Sequence, residues 1–356
     1  MVQPLTSRAG NDARGCCRTG QRGAFGHWEL AMRMHAWATP IAMAAYLGLI
    51  VLLFATAAHG GAAPATLSAA TPWWAWALSL FALTFFMGIL ATLAGVGGGV
   101  LFVPIVSAFF PFHLDFVRGC GLLIAIGGAL AAGPGLLRMN LASLRLAMPL
   151  ALVTSPAAIA GSMASLALSA LSPRIVKTAL GLTILGVVLV MSLARKSTFP
   201  QVRRPDALSR ALGIHGVYLE ASMGQEVHWR VHRTLPGLLV FVGIGFIAGM
   251  FGMGAGWANV PALNLLMGAP LKVSVATSKF LLSITDSSAA WVYLNRGCVI
   301  PVMVVPSLLG IMLGSFLGVR LLRFARPAAI RWMVIGLLLF SGLKVLTQGL
   351  GLPFIF

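Results

Sequence analysis

Acidic residues are the scarcest class in this chain. There are seven Asp and Glu in 356 residues, and 9% of positions are charged. A soluble surface uses about a quarter charged residues, so this scarcity excludes a soluble body of this length. Cysteine is rare too: Cys16, Cys17, Cys120 and Cys298. The first two lie side by side in a polar tail and the others stand far apart, so neither a disulfide framework nor a metal site follows. Catalytic signatures are missing. There is no HExxH and no GxSxG, and the glycine-rich runs lack the Lys-Ser/Thr and the βαβ setting of a nucleotide loop. The expectation is a protein that is not an enzyme, with no cofactor, no metal and no catalytic residues.

What is present is apolar mass. Residues AVILMFWYC make up 59%, and 41 glycines raise the apolar-plus-glycine share to about 70%, against about 45–50% in an average globular domain. Mean hydropathy is +0.94. The 25 Lys and Arg give a net charge of +18, but they sit at the ends of apolar runs, where they orient helices in a bilayer. The composition predicts an all-α integral membrane protein whose partner is lipid, with no nucleic acid. An oligomeric state is not legible.

Residues 1–34 form a basic N-terminal tail. Residues 35–58 read as an extra transmembrane helix or, from MRMHAWATP and the later Ala55-Thr56-Ala57, as a signal peptide. Apolar segments follow at 73–94, 95–110, 117–137, 146–169 and 173–194. A polar connection at 195–233 carries seven Lys or Arg, and segments resume at 235–253, 254–268, 272–295, 298–319 and 330–350. The connection has room for a short helix, on which His228 and His232 would share a face; as a metal pair they lack a third ligand.

The strongest internal feature is a repeat. GILATLAGVGGGVLFVP (88–104) and GFIAGMFGMGAGWANVP (245–261) superpose at a shift of 157, matching Gly88, Gly95, Gly97, Gly99, Val103 and Pro104 with Gly245, Gly252, Gly254, Gly256, Val260 and Pro261. Looser echoes pair Gly161-Ser162 with Gly314-Ser315 and Pro173 with Pro327. Two helical half-bundles, 73–194 and 235–350, are expected. If 95–110 is a half-helix that returns the chain to its starting side, the halves are inverted. That arrangement puts 19 of the 25 Lys and Arg on the cytoplasmic side: the tail, Arg138, Arg145, the 195–233 connection, Lys272 and the 320–331 cluster. Arg118, Arg174, Lys177 and Arg296 fall outside.

Glycines cost about 1 kcal/mol each in a helix interior, and proline removes a backbone donor. In lipid such breaks survive only where protein or a cavity receives the freed groups. Recurring at matched places, they predict discontinuous helices whose backbone meets a substrate. The competing use of small residues at spacing four is close helix packing.

GVGGGVLFVP, GMGAGWANVP and the following VATSKFLLS resemble the TauE/SafE (sulfite exporter) family of bacterial membrane transporters over about residues 75–350. The resemblance implies repeated helical halves and secondary transport of small anions, often sulfur-containing, across the cytoplasmic membrane. Its glycine-proline motifs fall here on Gly95, Gly97, Gly98, Gly99 and Pro104, and on Gly252, Gly254, Gly256 and Pro261, with Ala276-Thr277-Ser278 as the Ala-Thr-Ser pattern. Two departures stand out. Ala255 replaces the counterpart of Gly98, and Arg118-Gly119-Cys120 occupies the first-half place of Ala-Thr-Ser.

Segment 272–295 carries Lys279 and Asp286, seven apart and so on one helix face. Intramembrane charges face a bundle or a wet cavity and mark pathways. Lys279, with Thr277 and Ser278 beside it, is the candidate cation for a sulfonate or carboxylate, and Asp286 the candidate proton carrier. Asn259 either bonds an oxyanion or caps the break. His113 and Asp115 read as a solvated turn, and Lys344 as reaching a headgroup. The expected function is a secondary transporter of a small anion by alternating access. The alternatives are an anion or small-solute channel, or a non-transporting scaffold.

Overall fold

The computed structural model describes residues 73–94, 96–110, 112–137, 142–193, 206–220, 225–321 and 327–351. The basic tail, the 35–58 segment and Gly95 lie outside the described residues. The first half comprises α1 (Trp73–Ala94), α2 (Gly98–Phe109), α3 (Leu114–Leu137), α4 (Leu144–Leu171) and α5 (Pro173–Leu193). A connection holds α6 (Ala207–Ala211), β1 (His215–Glu220) and β2 (Gln225–Arg230). The second half comprises α7 (Thr234–Phe251), α8 (Gly256–Pro261) running into a π-helical turn (Ala262–Leu266), α9 (Leu271–Asn295), α10 (Pro301–Leu321) and α11 (Pro327–Leu350). Among the described residues seven helices (α1, α3, α4, α5, α7, α10 and α11) are long and apolar enough to cross a membrane. The polar helix α9 packs against α3, α4 and α8 in the interior.

The halves interleave. Along α1 and α10, Phe81 and Thr84 meet Gly310, Phe85 and Gly88 meet Gly314, and Ile89 and Thr92 meet Gly318, so the two helices run in the same direction. α7 lies along α4 in the same sense, with Gly245 on Thr154 and Gly249 on Ala158. These interfaces correspond at one shift: Gly88 on Ile311 matches Gly245 on Thr154, and Gly318 on Ile89 matches Gly161 on Phe246. The structural counterpart of Gly161 is therefore Gly318, 157 residues on, rather than the Gly314 of the sequence echo. The cause is the ladder Gly310, Gly314, Gly318, on which a slip of one turn still places glycine over glycine.

Where corresponding helices touch, they run antiparallel. Thr178 meets Gly349, Gly181 meets Leu346 and Ile184 meets Gly342 between α5 and α11. Between α3 and α9, Gly119 meets Tyr293, while Ala125 and Asp286 both face Gly254. α2 folds back on α3, with Gly98 by Ile124 and Val103 by Gly121, whereas α3 follows α10 from Gly119 at Cys298 to Gly127 at Leu308. α1 and α3 thus share a direction and α2 opposes both.

Two expectations are corrected here. The connection is not merely a loop with a short helix: β1 and β2 form an antiparallel hairpin, so the protein is all-α only in its bundle. His228 lies in β2 opposite Val217, and His232 lies beyond the strand, which removes their shared helix face. HGVYLE and QEVHWR mix β-branched and aromatic residues suited to a half-buried pleat, and Gly216 leaves room for the Trp229 indole across the ladder. The segment is fastened to the bundle by Asp206, whose carboxylate accepts from the Thr234 amide and hydroxyl, each at 2.9 Å, at the start of α7.

Candidate functional site

Both glycine motifs break their helices. α1 stops at Ala94 and α2 starts at Gly98, with Val96 reaching back five residues, its amide donating to Ala91 O at 2.8 Å. α7 stops at Phe251, and Gly252 (φ +67) and Gly254 (φ +71) take left-handed conformations that other L-residues adopt only under strain. The breaks meet. A Cβ on Gly256 would lie 2.6 Å from the Gly97 amide nitrogen, and Leu282 of α9 packs beside both glycines. Gly99 presses on the carbonyls of Gly121 and Met253, and Gly252 on the Arg118 backbone. The glycines thus serve both expected uses, breaking the helices and letting the broken ends approach. Gly98 packs against Ile311, Pro104 lies buried inside α2, and Pro261 closes α8 ahead of the π turn.

α9 supplies a charge to each break. The Lys279 ammonium donates to Val96 O, in the first break, at 3.2 Å. The Asp286 carboxyl faces the second break, since a Cβ on Gly254 would lie 2.8 Å from Oδ2. Both side chains are buried, and neither Asp286 oxygen has a hydrogen-bond partner among the described residues. The two do not pair: the ion pairs among the described residues belong to Asp115. Seven residues separate them, about 10 Å along the axis, so the helix holds cation and acid apart at two levels.

Among the described residues, Asn259 is fully buried with both amide atoms unpartnered, so it does not cap the break, and the Trp257 indole N–H is likewise buried and unpartnered. Thr277 faces elsewhere; its hydroxyl accepts from the amide of Ser143, the N-cap residue of α4, at 3.2 Å. Ser278 is buried beside Lys279. At 157 residues before Lys279 and Asp286 stand Leu122 and Ala129, both buried. The buried lysine and the buried acid at the breaks therefore both come from the second half.

Two peripheral expectations change. Arg118 is not an end-of-span charge but a fully buried side chain, with Nη1 donating to Asp115 Oδ1 at 3.0 Å and Ser165 Oγ at 2.6 Å. Asp115 is not solvated in a turn; it lies in the first turn of α3 and also accepts from Ser169 Oγ at 2.8 Å. The Asp115/Arg118 spacing of three, an i,i+3 helix pair of opposite charge, was the available signal. Lys344, to which the sequence assigns no functional role, lies over the Phe109 ring at 4.2 Å. Tyr293, also missed, donates toward the Gly249 and Met250 carbonyls at 3.2 and 3.3 Å, and Ser162 toward Gly249 at 3.2 Å, satisfying groups at the broken end of α7.

A chain with two glycine-broken helices apposed around a buried lysine and a buried acid has the architecture of a membrane transporter, and the comparisons agree. A "Probable membrane transporter protein YunE" of Bacillus subtilis is 22% identical over 270 residues, covering 74% of this chain and 94% of that relative. No solved structure matches. The family described as Sulfite exporter TauE/SafE matches residues 80–345, both half-bundles and every described motif, and the chain belongs to that family.

Proposed function

We propose that this protein is a secondary transporter that moves a small sulfur-containing oxyanion, such as sulfite or a sulfonate, across the bacterial cytoplasmic membrane by alternating access. The observation that carries this reading is the reach of α9 to both breaks: Lys279 to Val96 in one half, Asp286 to Gly254 in the other. A buried ammonium costs several kcal/mol in a membrane, and its single carbonyl contact leaves donor capacity for an arriving oxyanion. Asn259 and Trp257 add buried, unpartnered polar groups on α8. Asp286 is the proton carrier, because an acid without fixed partners changes charge by exchanging a proton with the side to which the site opens. Sulfur oxyanions are chosen from the family's description.

The two halves are inverted about an axis in the membrane plane, and the 195–233 connection is cytoplasmic. The antiparallel runs of α3 on α9 and α5 on α11, the returning α2, and the charge distribution all support this. The assay is uptake and efflux in proteoliposomes for sulfite, sulfonates, thiosulfate and short carboxylates, with and without a pH gradient. Saturable, gradient-dependent accumulation of a sulfur oxyanion is expected. Flux that never saturates would mean a channel, and no flux of any of these anions would overturn the reading.

A further inference from the structure

We propose a second anion subsite at Arg118, some two heptads along α9 from Lys279, through which the transported oxyanion passes on one side of the protein. The inference rests on the transport reading above. Its starting point is an asymmetry within one side chain. Arg118 is fully buried; its Nη1 serves Asp115 and Ser165 and the Tyr293 hydroxyl lies against the guanidinium, yet among the described residues Nε and Nη2 have no partner at hydrogen-bond geometry. Those two nitrogens form the edge of a guanidinium that grips an oxyanion through two parallel hydrogen bonds. A buried cation with that edge unused leaves donors unsatisfied at a cost, which a two-oxygen ligand removes.

The surroundings fit a passage. Lys279, Asp286 and Tyr293 recur every seven residues on one face of α9, and Tyr293 lies beside Gly119, next to Arg118. Fourteen residues from Lys279 to Tyr293 span about 21 Å, so this station is distinct from Lys279, although the Arg118 backbone rests on Gly252 at the second break. It also connects outward. Side-chain exposure rises from 0% at Arg118 to 16% at Asp115 and 59% at His113, whose ring lies 3.6 Å from the Asp115 carboxylate. Asp115, held by Ser169 and by Arg118 Nη1, is the resident negative charge that repels an arriving anion at the other edge. The second half has no counterpart, since position 275 at the repeat shift is Val275. The station therefore belongs to the first half and is not repeated at the matching position of the second.

A native reporter stands beside it: the Cys298 carbonyl touches Gly119, and the Cys298 thiol is partly exposed. In the full chain with Cys16 and Cys17 changed to Ser, Cys298 is titrated with a sulfonate-bearing and a trimethylammonium-bearing methanethiosulfonate, with ethanesulfonate as competitor. Faster reaction with the anionic reagent is expected, and protection by ethanesulfonate that survives Lys279→Ala. Arg118→Gln should raise the protecting concentration about tenfold or more, the loss of charge-assisted hydrogen bonds. Arg118→Lys guards against misfolding and should weaken protection while the bundle stays intact. Asp115→Asn removes the repelling charge and should strengthen protection, which a purely structural ion pair would not do. Absence of protection in the parent, its loss in Lys279→Ala, or unchanged protection in both Arg118 variants overturns the subsite. Protection without transport in the proteoliposome assay would instead overturn the transport reading.

Discussion

The ammonium of Lys279 and the carbonyl of Val96 are 183 residues apart in the chain and 3.2 Å apart in space. The bond joins the central helix of one half to the broken helix of the other. A ligand that draws the lysine away releases a contact between the halves. In the proposed transport cycle, binding and relative movement of the half-bundles would be linked through this one hydrogen bond.

Lys279→Ala should accordingly weaken anion binding at the centre by about tenfold or more, the scale of a lost charge-assisted hydrogen bond. Lys279→Met retains most of the side-chain volume and should lose as much, since the charge is what matters. Equilibrium binding of sulfite and ethanesulfonate to purified variants checks this. Parent-like binding and transport in both would make the lysine a structural tie to Val96 alone.

Asp286→Asn should bind the anion normally and lose the effect of a pH gradient on accumulation. The amide matches the carboxyl in shape, so its fit against Gly254 is kept while the exchangeable charge is gone. Proteoliposome accumulation with and without an imposed gradient makes the distinction. Full gradient-driven accumulation in the variant would place the titrating group elsewhere.

Glycines at the breaks and on the bundle surface should respond in opposite ways to Ala. Gly256→Ala forces a Cβ to 2.6 Å from the Gly97 nitrogen, an overpacking cost of about 1–3 kcal/mol. Gly254→Ala adds positive-φ strain of about 1–2 kcal/mol to a contact with Asp286. Gly186→Ala in α5 meets nothing within 4 Å and should gain about 0.5–1 kcal/mol of helix stability. Thermal unfolding in detergent ranks the three. A Gly256→Ala protein as stable and active as the parent would mean that the breaks are not closely apposed in the membrane.

Single cysteines at Ala65 and His215, in a background without the native four, should react differently with an impermeant reagent applied outside intact cells. Position 65 is expected to label and position 215 not. The reverse pattern would invert the topology.

Much of this arrangement was legible because it is written twice. Gly97 and Gly256 stood out as members of a repeated motif, and the breaks they make follow from glycine and proline in an apolar run. Lys279 and Asp286 were visible as charges where lipid tolerates few. The bond from Lys279 to Val96 was not, because no local pattern encodes a contact between halves. Arg118 was misread because a charge near the start of an apolar run resembles an interfacial anchor; only packing by Ser165 and Tyr293 distinguishes the two. The register of α4 against α10 was ambiguous for the reason given by its own glycines. The hairpin was hidden by His228 and His232, whose spacing imitates a helix face while their neighbours favour strand.

The interleaving of α1 with α10 bears on how the protein is made. The face of α1 around Gly88 emerges from the ribosome roughly 220 residues before the glycine-lined face of α10 that covers it. At about 5–20 residues per second, that is a delay on the order of ten to forty seconds. During that interval Gly88 and the carbonyls around it face lipid or a membrane chaperone instead of Gly314. Neither half can reach its final packing while it is alone, so assembly is postponed until synthesis is nearly complete.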